Sequence, residues 1–165
     1  MFTCHIRAYP KHNSPHMTAL NYTDIKQYIL GLSQPNPHLH GHAICPYIKP
    51  YIDNITHSTH NTPQEVLEHV PHVIEQNSIA HVMVCAFDWD WFEMESTVQI
   101  LHHQHQRQDK EFLFMHPDSE DAPLPIGDYS FQHPLIIVQI RSKLLEARKQ
   151  LAQNTNYYDT FNKLK

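Results

Sequence analysis

A chain of 165 residues is long enough to bury about 70% of its unfolded surface around one core, so no second domain is required. Seventeen acids against 12 Lys and Arg give a formal charge of -5 with no basic run, which argues against nucleic acid as a partner. No run of about 20 apolar residues exists to span a membrane, and no continuous apolar stretch within residues 1–17 resembles a secretory signal.

The 16 histidines titrate near neutrality, so the net charge rises and solubility changes in mild acid. Cys4, Cys45 and Cys85 form no CxxC, and an odd number of thiols suits a reducing cytoplasm better than a disulfide framework.

Residues 1–20 read as a polar lead-in, with at most an edge strand at Phe2–Arg7. Thr23 and Asp24 then open a helix whose apolar positions Tyr22, Ile25, Tyr28, Ile29 and Leu32 share a face; Gly31 and Ser33 end it. Pro46 fits a first helical turn, so Cys45 is expected at the N-cap of a short helix that Pro50 shortens. A weak strand is expected over Ile52–His57.

Thr62-Pro63-Gln64-Glu65 is a helix start, with Val66, Leu67, Val70, Val73 and Ile74 inward and a bend at Pro71. Ala80–Phe87 reads as a strand, and 91–107 as a helix burying Trp91, Met94, Val98 and Leu101. Strands over Glu111–Met115 and Pro134–Ile140 precede a helix over Ser142–Leu151 that turns Leu144, Leu145, Ala147 and Leu151 inward. The expected architecture is an α/β (α+β) single-domain sandwich, with a small mixed sheet packed by helices. Residues 21–153 form the domain, and 154–165 are expected as a loosely ordered tail, although Tyr157, Tyr158 and Phe161 could dock it on the core.

Cys45 is the first candidate for chemistry. At a helix N-cap its thiol would meet unpaired N–H groups and the positive end of the dipole, with Lys49 adding a cation, and all three favour the thiolate. A small buried hydrophobe is the competing reading, and it is the stronger one for Cys85, inside an apolar strand.

His38, His40 and His42 alternate, so in an extended segment their imidazoles share a side; with Cys45 they make a set suited to Zn²⁺ or a similar transition metal. His composition alone also generates such clusters. His102, His103 and His105 end a helix, where cations stabilise the dipole without any ligand. His116, with Asp118, Glu120 and Asp121, follows a strand, so Cys45, His116 and Asp118 could form a Cys-His-Asp arrangement.

Cys45-Pro46-Tyr47-Ile48-Lys49, Phe114-Met115-His116-Pro117-Asp118 and Gln132-His133-Pro134-Leu135-Ile136 with Arg141 resemble an uncharacterised bacterial family. Its members carry an early Gly-Leu-x-x-Cys-Pro-aromatic-x-Lys segment and a late Phe-His-Pro segment. Here Gly31-Leu32 stands apart from Cys45, and Met115 intrudes before His116. The resemblance implies no activity, but it supports Cys45 and His116 as the residues to follow. Cys45-Pro46-Tyr47 also resembles the start of the glutaredoxin motif, with Ile48 in place of the second thiol; the His-rich segment before it and only three glycines fit that family less well.

Three functions remain open. One is a thiol-dependent enzyme acting on an unidentified small molecule, with Cys45, His116, Lys49 and Asp118 as its catalytic set. The second is a transition-metal protein using His38, His40, His42 and Cys45, and the third a non-catalytic interaction domain. No Gly-rich phosphate loop points to a nucleotide cofactor, and oligomeric state is open.

Overall fold

In the computed structural model, which describes residues 24–117 and 131–163, four strands form one sheet in the order β1-β2-β4-β3. These are β1 (Ile55–His60), β2 (Ala80–Cys85), β3 (Lys110–Met115) and β4 (Leu135–Ile140). β1 pairs parallel to β2, whereas β4 lies antiparallel between β2 and β3, so β1, β2 and β3 all run the same way.

Period-two alternation sends successive side chains to opposite faces of this sheet. Val82, Val84, Leu135 and Ile137 face a cluster with α1 (Ile25–Leu32), Leu39, Ile44 and Cys45. Met83, Cys85, Ile136 and Val138 face α2 (Pro63–Glu75) and α3 (Trp91–His105). Arg141–Asn154 forms α4 and Tyr157–Asn162 forms α5. The whole is a single α+β domain with a mixed sheet, as the sequence pattern implied.

The helices start where the caps dictate. Asp24 accepts from the N–H groups of Lys26 and Gln27 at the head of α1, and Thr62 Oγ1 accepts from Glu65 at the head of α2. Val66, Val70 and Val73 form the buried stripe of α2, each worth about 1.5–3 kcal/mol on full burial. That stripe carries the helix through Pro71 to Glu75 despite the missing N–H. The head of α4 lacks a cap of its own, and Asp109 supplies one across the fold, taking the Ser142 N–H at 2.9 Å and its hydroxyl at 2.6 Å.

Four expectations need correction. Pro46–Ile48 is a turn, and the following helix is a 3₁₀ segment over Lys49–Asn54 with Ile48 at its cap, so Cys45 does not stand at a helix N-terminus. Pro46 fits a turn as readily as a first helical turn, because both ask only for its fixed φ. The strand placed over Ile52–His57 lies at Ile55–His60. Two leucines expected inward point outward, Leu145 at 54% and Leu67 at 43% exposed, leaving Leu144 as the buried residue of α4 and Val66, Val70 and Val73 as those of α2.

The fourth correction concerns the C-terminal stretch, which folds as α5 and docks. Tyr157 is buried and donates its hydroxyl proton to the Ile44 carbonyl at 2.8 Å, while the Tyr158 and Tyr47 hydroxyls are hydrogen-bonded. The lead-in 1–20, Cys4, Tyr22, Thr23 and Asp118 to Asp121 lie outside the described residues.

Candidate functional site

Cys45 is buried, 8% exposed, with its N–H donating to the Leu32 carbonyl at 2.9 Å. Its side chain walls a cleft of about 50 Å³ with Tyr47, Tyr51, Ile79, Gln139 and Lys143. Ligand pockets begin near about 300 Å³, so this cleft holds a few waters rather than a substrate. A wider depression of about 420 Å³ is open to solvent and lined along α3 alone by Ser96, Gln99, Ile100, His103 and Gln104.

The Cys45 cleft lies at the sheet end where β1 and β2 begin, beside Ile55 and Ala80. His116 follows the last residue of β3, and the register places that end beside Leu135 and Val84, at the opposite limit of the sheet. Six residues of strand span roughly 17–20 Å, so the Cys45–His116 pairing expected from sequence is not assembled here. His116 is itself buried, and its Nε2 donates to the Trp89 carbonyl at 2.6 Å, tying the loop after β2 to the end of β3. Lys49 is exposed at the start of the 3₁₀ segment.

The His38–His42 segment is folded tightly rather than extended. Pro37–Leu39 is a 3₁₀ turn capped by the Asn36 side chain, His40 is left-handed (φ 53°) and Gly41 has φ 85°. Asn36 closes the loop, its N–H donating to the His42 carbonyl at 2.9 Å, so the alternation that would align three imidazoles is lost. His38 and His40 are exposed, and His42 turns to Asn156, with Nε2 2.9 Å from Oδ1, and to the Tyr157 ring edge. Among the described residues no group of three or more His, Cys, Asp or Glu is arranged to hold a metal ion.

Imidazoles converge elsewhere, between β1, β2 and α2. Alternation along β1 turns Thr56, Ser58 and His60 to the α2 side, and the register sets Thr56 opposite His81 of β2. His81, 3% exposed, lies between two hydroxyls, with Nδ1 2.7 Å from Thr56 Oγ1 and Nε2 2.8 Å from Ser58 Oγ. Ser58 Oγ is also 2.8 Å from His60 Nε2. His69 of α2 sits over this chain, its ring centroid 4.9 Å from that of His60, 5.3 Å from His81 and 6.0 Å from His72. The His69 Nε2 is buried and makes no hydrogen bond.

Burial, then the neighbouring His69, His60 and His57, depresses the His81 pKa to about 4. His60 is lowered by burial and by His69, against an opposing pull from Glu65; His69 is lowered by burial and by His72. His60, His69 and His81 are therefore all biased toward the neutral imidazole. Elsewhere, burial alone pushes the Cys85 thiol up to about 12, which fits its place in the apolar core.

Sequence reasoning passed over this cluster, although His57, His60, His69, His72 and His81 were in plain view. The signal was the alternation Thr56, Ser58, His60 on a strand followed by a His interrupting the apolar run of Ala80–Cys85. No family model, no curated protein and no solved structure matches this chain. The likeness of its Cys-Pro-Tyr and Phe-Met-His-Pro segments to an uncharacterised family thus stands on those residues alone.

Proposed function

We propose that this protein is a proton-responsive interaction domain, whose α2 is held against β1 and β2 at neutral pH and loosened as the imidazoles beneath it gain charge. The observation that carries this reading is the stack of His60, His69 and His81 at centroid distances of 4.9 and 5.3 Å. Two protons added there create like charges at contact in a place largely shielded from water. The groups acting on the stack are His57 and His60 of β1, Glu65 near the head of α2, His69 and His72 along it, and His81 beneath. Glu65 is the one acid among them, and its Oε2 already accepts from the Asn61 N–H at 2.7 Å.

Loosening α2 would uncover the Val66, Val70 and Val73 stripe, an apolar surface of the kind that protein partners recognise. The test is amide hydrogen exchange, corrected for intrinsic rates, at pH 7.5 and pH 5. Protection of residues 63–75 should fall in acid while that of 91–105 holds; equal behaviour of the two helices would discard the proposal.

A second reading, thiol chemistry at Cys45, is favoured by the shared cleft with Lys143, where a cation can hold a thiolate. It expects Cys45 to alkylate faster than Cys85 near pH 7, and equal slow rates would remove it. A reducing cytoplasm is the compartment proposed for either reading, resting on the three thiols without a CxxC. Among the described residues no helix is long and apolar enough to cross a membrane.

A further inference from the structure

Ser58 occupies an unusual position for a surface-strand serine. Its hydroxyl is 2.8 Å from two imidazole nitrogens at once, and one of those imidazoles, His81, is fixed from behind by Thr56 at 2.7 Å. A hydroxyl has one proton to give. When it goes to His81 Nε2, the His60 Nε2–H donates to Ser58 Oγ, and His81 Nδ1–H donates to Thr56 Oγ1. Ser58 Oγ then keeps a second lone pair for attack, and Ser58 is only half-buried.

We propose that Ser58 is a nucleophile toward small carboxylic esters, with His81 as its general base, Thr56 holding the His81 tautomer, and His69 Nε2–H supplying the donor for the oxyanion. A nucleophile, a base in hydrogen-bond reach, an orienting group behind the base and an uncommitted donor nearby are the parts that acyl transfer requires. The Ser58 oxygen forms a bond to the acyl carbon as its proton passes to His81 Nε2. The carbonyl π electrons move onto oxygen, then return to expel the alcohol or phenol portion with its electron pair, and His81 returns the proton to it. Water reverses the sequence, leaving a carboxylic acid and free Ser58. The donor role falls to His69, whose ring stacks on those of His60 and His81 and whose Nε2, taken as the protonated nitrogen, makes no hydrogen bond of its own.

Thr56 is neutral where faster esterases place a carboxylate, so the expected signature is slow acylation rather than rapid turnover. His81, with its pKa near 4, is a free base at pH 7 but a weak one, which adds to the slowness expected.

The experiment incubates the full chain with p-nitrophenyl acetate and reads the acetylated residue by peptide mass mapping. One acetyl group on Ser58 is expected. Ser58→Ala should abolish it, His81→Gln should slow it about 100-fold, and His69→Phe, which keeps a ring in the stack, should slow it by at least about tenfold. Circular dichroism on each variant establishes that the fold is intact. Should His81→Gln fail to fold, the wild-type pH profile decides instead. A rate flat from pH 7 to 8.5 reflects a base that is already deprotonated, whereas a rate rising about tenfold per pH unit reflects hydroxide acting on an ordinary serine and overturns the proposal. Acetylation of a histidine or lysine in place of Ser58 overturns it equally.

Discussion

Two regions of this molecule are rich in histidine, and they differ in what brings the imidazoles together. In His38–His42 three histidines crowd into five residues, yet a left-handed His40 and a tight turn send them apart, two into solvent and one to Asn156. His60, His69 and His81 are spread over 22 positions, yet a strand, a helix and a second strand stack their rings. Density along a chain is thus a poor guide to proximity. Register and helix packing decide it, and they also decide the electrostatics, because only the stacked set loses its water.

Acid should expose the contrast most strongly. With the His81 pKa at about 4 in the folded state and about 6.5 unfolded, the unfolded chain binds more protons between those limits, so stability rises with pH through that window. From His81 alone the loss is on the order of 2 kcal/mol at pH 5 and still grows toward pH 4. Urea midpoints at pH 7.5 and pH 5 measure it, and an unchanged midpoint would show that the stack tolerates charge.

His81→Gln removes the titrating group. At pH 7.5 it should cost about 1–3 kcal/mol, because the Thr56 and Ser58 hydroxyls lose their short bonds to the buried imidazole, while the acid dependence of the midpoint becomes visibly shallower. Tyr157→Phe, beside the His42 turn, should cost about 1 kcal/mol by stranding the Ile44 carbonyl. Thermal unfolding reads that change, and an effect as large as that of His81→Gln would erase the distinction between the regions. His38→Ala and His40→Ala come last, each within about 0.5 kcal/mol in the same assay, since both side chains are exposed.

The parts of the fold legible in the sequence were those written in a period. Ile25, Tyr28, Ile29 and Leu32 announce α1 by their spacing, Met94, Val98 and Leu101 announce α3, and the apolar run Leu135–Ile140 announces a central strand. β1 was harder to place, because Ile55-Thr-His-Ser-Thr-His60 carries one apolar residue and owes its position to pairing with β2. The imidazole stack depends on that register, so its legibility failed with it. Cys45 stood out through Pro46, whose ring fixes one dihedral angle and says nothing of whether the chain turns or enters a helix there. The tail was misjudged for a related reason, since Tyr157 and Phe161 bury themselves only once the Ile44 loop offers a surface.

The Tyr157 to Ile44 hydrogen bond also has a consequence in time. Its two ends are 113 residues apart, and at translation rates of about 5–20 residues per second the Ile44 loop is made on the order of ten seconds before the residue that closes it. During that interval Leu39 and Ile44 lack the cover of α5, and a chaperone reaching the nascent chain meets apolar side chains that the finished protein hides.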